Sequence, residues 1–400
     1  EDEMQSSSVV PKLDMVNGIC WMVTGTPYQL ADYLLGPRQD SALVHTFLLT
    51  HPYFISSPDF FKYLCYKFAN ADPGQPDSAL MEGSVVNLIT RWKDNSFYNF
   101  FGQPELVKLL RLFVAFVKHN SPQWAQHMHF KQRSLISTTA TKEGPPMPHL
   151  PADMNKITFL ALHPVEIARQ LTLIDQALFR SVPATELLRA RWTKADKESA
   201  APNVCRYTRQ FNKITYWVAT EILTALNHFQ RIEIIQRFIQ IETELHALQN
   251  FNSMMAVHAA LNMNSVQRLR DTWKGVSEKY IRKMAAIEAL MDSRRNFSTY
   301  RKAILGVKAP AIPFQALILG DLAMCDNMED HSESGGVNFY KNIELAKHMQ
   351  VFLTMRAAEY NLYEVPAIKH FLDNDILVLQ DEPLYKLSQY CQHTSKAQQR

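Results

Sequence analysis

An all-helical fold, split into a smaller N-terminal and a larger C-terminal domain, is what this 400-residue chain predicts. Three observations carry the prediction. Apolar residues recur at steps of three and four along most of the sequence, while strand-type alternation is scarce. Glycine is rare, with 12 residues, which argues against sheets rich in tight turns. One stretch, "KQRSLISTTATKEGPPMPHLPADMN" at 131–155, breaks the helical pattern: Ser/Thr-rich residues run into Gly144 and closely spaced prolines, and Pro145 and Pro146 forbid continued helix. The expected organisation is therefore a helical domain at 17–130, a Pro-rich linker at 131–155 and a second helical domain at 156–395. A second loop is expected at 69–84, "ANADPGQPDSALMEGS".

The helices after the linker follow in order. In "FLALHPVEIARQLTLIDQALFRSV" (159–182), Pro164 suits a first helical turn, His163 a helix start, and Val165, Ala168, Leu171 or Leu173, and Ile174 a buried stripe. In "NVCRYTRQFNKITYWVATEILTALNHF" (203–229), Val204, Tyr207, Phe211, Ile214, Val218, Ile222 and Phe229 form one stripe, with Asn203 as N-cap. "RIEIIQRFIQIETELHALQNF" repeats the pattern at Ile235, Phe238, Ile241, Leu245 and Leu248, with Glu233 and Arg237 as a solvated i,i+4 pair. "FNSMMAVHAAL" reads as a short buried helix, and Asn262 either caps it or presents an amide to a partner. Trp192, set beside Thr193 and Lys194, is either a lid on the core or a partner contact. Last, residues 310–350 set a greasy helix against an acid-containing turn, a glycine pair and an amphipathic helix with Phe339, Ile343, Ala346, Met349 and Leu353 on its stripe, continuing to Ala357 and Tyr360. Phe314, Leu317, Ile318, Leu319 and Leu322 go nearly all round the first helix, so it needs burial on several sides.

Composition excludes several functions. A net charge of +3 without a basic run does not predict a nucleic-acid partner. No apolar segment is long enough to span a bilayer, and the start lacks the basic-then-apolar order of a signal peptide; it reads as cut from a longer chain. Cys20, Cys65, Cys205, Cys325 and Cys391 are widely spaced, which predicts reduced thiols in a cytoplasmic protein. Phosphate-binding, dinucleotide-binding, nucleophile-elbow and zinc-protease motifs are absent, and His127 and His129 fit no standard zinc spacing. No cofactor and no metal are expected. An enzyme site assembled from His163, His258 and Asp321 has no spacing to support it, since each has an ordinary structural role available.

Four stretches in one order, "HPVEIARQLTLID", "RWTKADKESAAPNVCRYTRQFN", "NFNSMMAVHAALNMNSVQRL" and "IPFQALILGDLAM", resemble the catalytic domain of Ras-family guanine-nucleotide exchange factors, the family of Son-of-sevenless and its relatives. The likeness spans roughly 156–395. "GTPYQLADYLL" and "LVHTFLLTHPYFISSPDFFKYLCYKF" resemble the opening helices of the Ras exchanger motif domain that precedes it.

The resemblance implies an all-helical catalytic domain with a protruding helical hairpin at 314–361 (arms 314–325 and 338–361, turn 326–337). Such a hairpin prises open switch I of a small GTPase, while a cleft holds switch II; no covalent chemistry is involved. It implies Ala323, Met324, Asp326 and Asn327 as the working residues of the hairpin. Trp192, Thr193, Arg209, Asn262, Phe297, Phe314 and Leu319 are implied as GTPase contacts. Where the family carries a larger apolar residue and a carboxylate, this chain has Ala323 and Asn327; Met324, Asp326 and Glu329 lie close by. The implied partner is Ras, Rap or Ral, with a second, regulatory GTPase at the N-terminal domain. Residues 199–223 are similar to exchange domains acting on Ral, and 335–355 to others acting on Rap. Recruitment to membranes that carry lipidated GTPases is implied, without direct insertion. The alternative use of the same fold is an adaptor that docks a partner without exchange.

Overall fold

The computed structural model describes residues 9–37, 40–71, 77–95, 103–128, 144–356 and 358–397. The chain forms two compact units. The first comprises Glu1–Ser134, Pro183–Ala201 and Ile318–Val351; the second comprises Leu135–Val182, Pro202–Leu317 and Phe352–Arg400.

The first unit opens on a β-hairpin, β1 (Lys12–Val16) and β2 (Ile19–Gly25). It was not expected from the apolar spacing, because both strands are short. Its signal is the dipeptide Asn17-Gly18: both residues take positive φ, 51° and 81°, as the tight turn matching strand twist requires. Helices follow with their start signals in place. In α1 (Pro27–Leu35), Thr26 and Gln29 form a reciprocal capping box. Asp40 caps α2 (Ser41–Thr50) and Ser56 caps α3 (Ser57–Ala69). α4 (Ser78–Asn95) begins inside the stretch expected to be a loop through residue 84; the helical run "SALMEGSVV" tolerates its single glycine. α5 is Pro104–Asn120. Between these helices Phe47, Phe60, Phe61 and Trp92 pack as a buried aromatic core. Val337, Phe339 and Ile343, remote in sequence, belong to the same core.

The second unit is helical. In α6 (Pro164–Ser181) His163 is the N-cap, its Nδ1 accepting from the Val165 N–H at 3.3 Å, as expected of a helix-start residue. Leu171 is buried and Leu173 only half-buried, which settles the choice of stripe. α7 (Pro202–Thr224) begins at Pro202, so Asn203 lies inside the first turn and is not its N-cap. Phe229 also leaves the expected stripe: it falls in α8 (His228–Ala247), 81% exposed. α9 (Phe251–Leu261) is almost wholly buried. α10 (Glu278–Leu290) and α11 (Ser298–Leu305) complete the run before the greasy segment.

That segment is α12 (Gln315–Asp326), and its return is the short strand β3 (Val337–Asn338) followed by α13 (Phe339–Met355). α13 stops at Met355, short of the expected 361, and Tyr360 lies beyond it, donating its hydroxyl to the Leu248 carbonyl at 2.7 Å. Of the expected linker, 131–143 lies outside the described residues; 144–155 carries no helix or strand. None of the five cysteines, all among the described residues, forms a disulfide. Among the described residues no helix is long and apolar enough to cross a membrane.

Candidate functional site

α12 is apolar on most sides, so its sequence does not say which side stays open. The structure does. Ile318, Leu319, Leu322 and Cys325 are buried, while Ala316, Gly320, Met324 and Asn327 are exposed and Ala323 half-buried. Positions 316, 320, 323 and 324 fall on one stripe of a 3.6-residue helix, and Asn327 follows in the turn just past its end. The stripe is low: a Cβ added at Gly320 would meet no atom within 4 Å. Met324, 71% exposed, is its largest side chain. Leu319, expected to touch a partner, instead roots the helix, and Phe314 is also buried.

The chain beyond α12 is held by a polar hub within the first unit. Lys341 of α13 is almost fully buried, and its Nζ donates to the carbonyls of Asp326 (3.0 Å) and Met328 (2.8 Å) and to Asp330 Oδ1 (2.7 Å). Arg189 pairs with Asp330 at 2.8 Å, donates to the Tyr53 carbonyl, and lies over the Tyr53 ring. Tyr53 accepts from the Arg189 backbone N–H at 2.7 Å and donates to Asp326 Oδ1 at 3.2 Å. Burial by itself would raise the Asp330 pKa, but hydrogen bonds from Lys341 and Arg189 and their charges outweigh it and hold the carboxyl below its usual range. Burial pushes the Tyr53 phenol well above its ordinary value, so Tyr53 stays a donor. Asp326, expected as a working residue of the hairpin, is thus bound into its support.

Backbone pairing adds to the hub. β3 joins β2 antiparallel, Thr24 facing Asn338 and Gly25 facing Val337. Gly336 makes room: a Cβ there would lie 2.7 Å from Val9 Cγ1 and 3.1 Å from the Gly25 nitrogen. His348 Nδ1 and Asp321 Oδ2, 3.5 Å apart, link α13 to α12.

Trp192 and Thr193 also belong to the first unit. They sit in a 3-10 turn, Arg191–Thr193, where Thr193 donates to the Ala190 carbonyl at 2.8 Å; Trp192 is half-buried and Thr193 exposed. The turn follows two residues of positive φ, Arg189 (60°) and Ala190 (43°). Paired left-handed residues other than glycine store strain that the hub must hold.

The remaining expected contacts lie in the second unit. Arg209 is exposed on α7. Phe211, Phe297 and Phe314 form a ring cluster, with centroids 5.9 Å (Phe211 to Phe314) and 6.0 Å (Phe297 to Phe314) apart. Phe297 and its neighbour Asn296 both take left-handed backbone, φ 54° and 49°. The Phe314 N–H donates to the Tyr300 hydroxyl at 2.8 Å, fixing the chain where it enters α12. Asn262 is exposed at the C-cap of α9, its Nδ2 donating to the His258 carbonyl at 3.1 Å.

His163, His258 and Asp321, weighed as an enzyme site, each take a local partner: the Val165 N–H, Glu242 and His348. The described residues include no group of three or more His, Cys, Asp or Glu able to hold a metal ion.

Comparison with known proteins defines the class. The family model for the RasGEF domain matches residues 166–343, and that for the RasGEF N-terminal motif matches residues 22–116. The chain belongs to the RasGEF family. Among its curated relatives, "Ras guanine nucleotide exchange factor Q" of Dictyostelium discoideum is 37% identical over 232 residues, 58% of this chain and 18% of that protein. "Ras guanine nucleotide exchange factor A" of the same organism is 29% identical over 374 residues, 89% of this chain and 61% of that protein. "Protein son of sevenless" of Drosophila melanogaster is 29% identical over 302 residues, 72% of this chain and 19% of that protein. The chain therefore spans less than two thirds of each of these relatives.

Proposed function

We propose that this chain accelerates GDP release from a Ras-family small GTPase, using the hairpin 314–361 to open switch I and the second-unit contacts Arg209, Asn262 and Phe297 to hold switch II. The observation that carries the reading is the open stripe Ala316, Gly320, Ala323 and Met324, continued by Asn327 in the turn, on a helix otherwise buried or half-buried. A helix that needs burial yet keeps one flat, weakly polar stripe open is shaped to lie against another surface.

Such a surface need make or break no bond. It must bind the nucleotide-free GTPase better than the nucleotide-bound one. Speeding release ~10⁵-fold needs about 7 kcal/mol along the dissociation path. Burying ~300 Å² of apolar surface at roughly 25 cal/mol per Å² supplies that nominally, and a standard interface of ~1,600 Å² leaves a margin for association costs.

No carboxylate occupies position 327, and Asp326 serves Tyr53. The mechanism is accordingly steric, with Met324 as the projecting group. The test is release of labelled GDP from a panel of Ras, Rap and Ral proteins, with Met324→Asp and Asn327→Ala beside the native chain. Met324→Asp should slow exchange more than Asn327→Ala; the reverse order, with both variants folded, refutes the steric reading. Ala323 and Asn327, where the family has bulkier or acidic groups, favour a second reading: an adaptor that binds the GTPase and leaves GDP release unaccelerated across the whole panel.

A further inference from the structure

Asn262 stands at the end of a buried polar chain that the exchange reading does not use. Glu242 on α8 is fully buried and His258 on α9 nearly so. Glu242 Oε1 lies 2.7 Å from His258 Nδ1, and His258 Nε2 lies 3.0 Å from Asn262 Nδ2.

The donors and acceptors in this chain have one consistent assignment. Asn262 Nδ2 sits 3.1 Å from the His258 carbonyl, which only accepts. Asn262 Oδ1 sits 3.4 Å from Gln267 Nε2, which only donates and is itself oriented by the Leu261 carbonyl at 2.9 Å. The amide is therefore held with its nitrogen inward. Its second N–H points at His258 Nε2, which must offer a lone pair, so the imidazole proton sits on Nδ1 and is donated to Glu242. A carboxylate is the partner that enforces this tautomer.

We propose that Glu242 and His258 are positioning residues that lock the Asn262 amide with its carbonyl oxygen outward, so that this point of the surface presents an acceptor and selects a GTPase that offers an N–H or O–H donor there. The inference rests on the proposed contact between Asn262 and the GTPase. Neither Glu242 nor His258 touches the partner; both act through Asn262. With the opposite tautomer, Nε2–H would demand Asn262 Oδ1, and the surface would present an NH₂ group instead.

Two measurements on the full chain test this. The first is ¹⁵N NMR of His258 in the free protein, which reads the tautomer whatever the GTPase does. Nδ1–H is expected, and Nε2–H overturns the proposal. The second is a cycle of labelled-GDP release. His258→Leu alone would strand a buried carboxylate, so the pair is removed together as Glu242→Leu/His258→Leu, with thermal unfolding as the check on folding. Loss of one oriented hydrogen bond should raise KM roughly 10-fold with kcat little changed. In an Asn262→Ala background the same pair should cost less than about 2-fold, because coupled residues are not additive. Equal cost in both backgrounds shows a merely structural role and overturns the proposal. If Asn262→Ala slows exchange while the paired variant does not, the lock alone is wrong. If Asn262→Ala is as active as the native chain, the contact at Asn262 is wrong and the lock falls with it.

Discussion

The chain beyond α12 and the chain entering it are held by opposite means. Beyond Asp326, the tip is fixed by charges: Lys341 on three oxygens, Arg189 on Asp330 and Tyr53, Tyr53 on Asp326. Before Gln315, the entry is fixed by rings, Phe314 against Phe211 and Phe297, with one hydrogen bond to Tyr300. Charges with fixed partners specify a geometry and weaken sharply when one is removed. Rings supply burial and tolerate small shifts. Under the proposed function, the tip that meets the GTPase at a set angle is held by the more exacting device, and the root, which need only stay buried, by the more forgiving one.

Removing one member of each set tests that difference. Lys341→Met should be the most damaging change to exchange: it takes the buried ammonium from three oxygens that are themselves partly exposed, at a cost of about 3 kcal/mol in urea unfolding, with exchange lost even where the variant remains folded. Phe314→Ala should cost about 4 kcal/mol through the cavity it leaves, and exchange should fall only in proportion to the folded fraction. If Phe314→Ala abolished exchange in fully folded protein while Lys341→Met did not, the division of labour would be reversed.

A buried acid in the second unit gives a smaller and pH-dependent effect. Burial raises the pKa of Asp175 to about 6, against the pull of its hydrogen bond from Ser253 at 2.6 Å. Its folded pKa exceeds its unfolded one, so the folded state binds the proton more tightly. The stability this confers is complete below about pH 4 and is lost as pH rises through 6. Relative to Asp175→Asn, the native chain should lose about 3 kcal/mol from below pH 4 to well above pH 6; a flat difference across the range would show that Asp175 titrates normally. The smallest effect is expected at Gly336→Ala, where the added methyl meets Val9 and Gly25. It should cost about 2 kcal/mol by overpacking, with faster amide exchange at Val337 and Asn338, and exchange activity should fall modestly.

The helices on either side of this contrast were legible in the sequence, but neither the ring cluster nor the charge hub was: the sequence assigns Phe297 and Phe314 to GTPase contacts and Phe211 to a helix stripe. Helical periodicity located α6 to α9 and both hairpin arms, because an amphipathic stripe writes itself at steps of three and four. The family pattern pointed to Ala323, Met324 and Asn327; the first two lie on the open stripe of α12 and Asn327 in the turn after it. That pattern could not separate Leu319 from Met324, since a helix apolar all round has no preferred face until its neighbours are in place. Nor could it find the hub: Tyr53 and Asp326 are 273 residues apart, and no local spacing announces a pair at that distance. The Asn17-Gly18 turn was readable but was masked by strands too short for alternation to show. The bond of Asp326 to Tyr53 was hidden for the same reason as the hub, because that partner is invisible from its own neighbourhood.

The account turns on Met324 and the stripe around it. The most direct measurement is labelled-GDP release from the GTPase on which the native chain acts fastest, comparing native protein with Met324→Asp at matched thermal stability, since an exposed substitution should move folding by no more than about 0.5 kcal/mol. A drop in exchange of roughly 10-fold or more with an unchanged melting temperature, as one lost contact worth about 1.4 kcal/mol would give, is the predicted result. Exchange at the native rate from a folded Met324→Asp protein would contradict it.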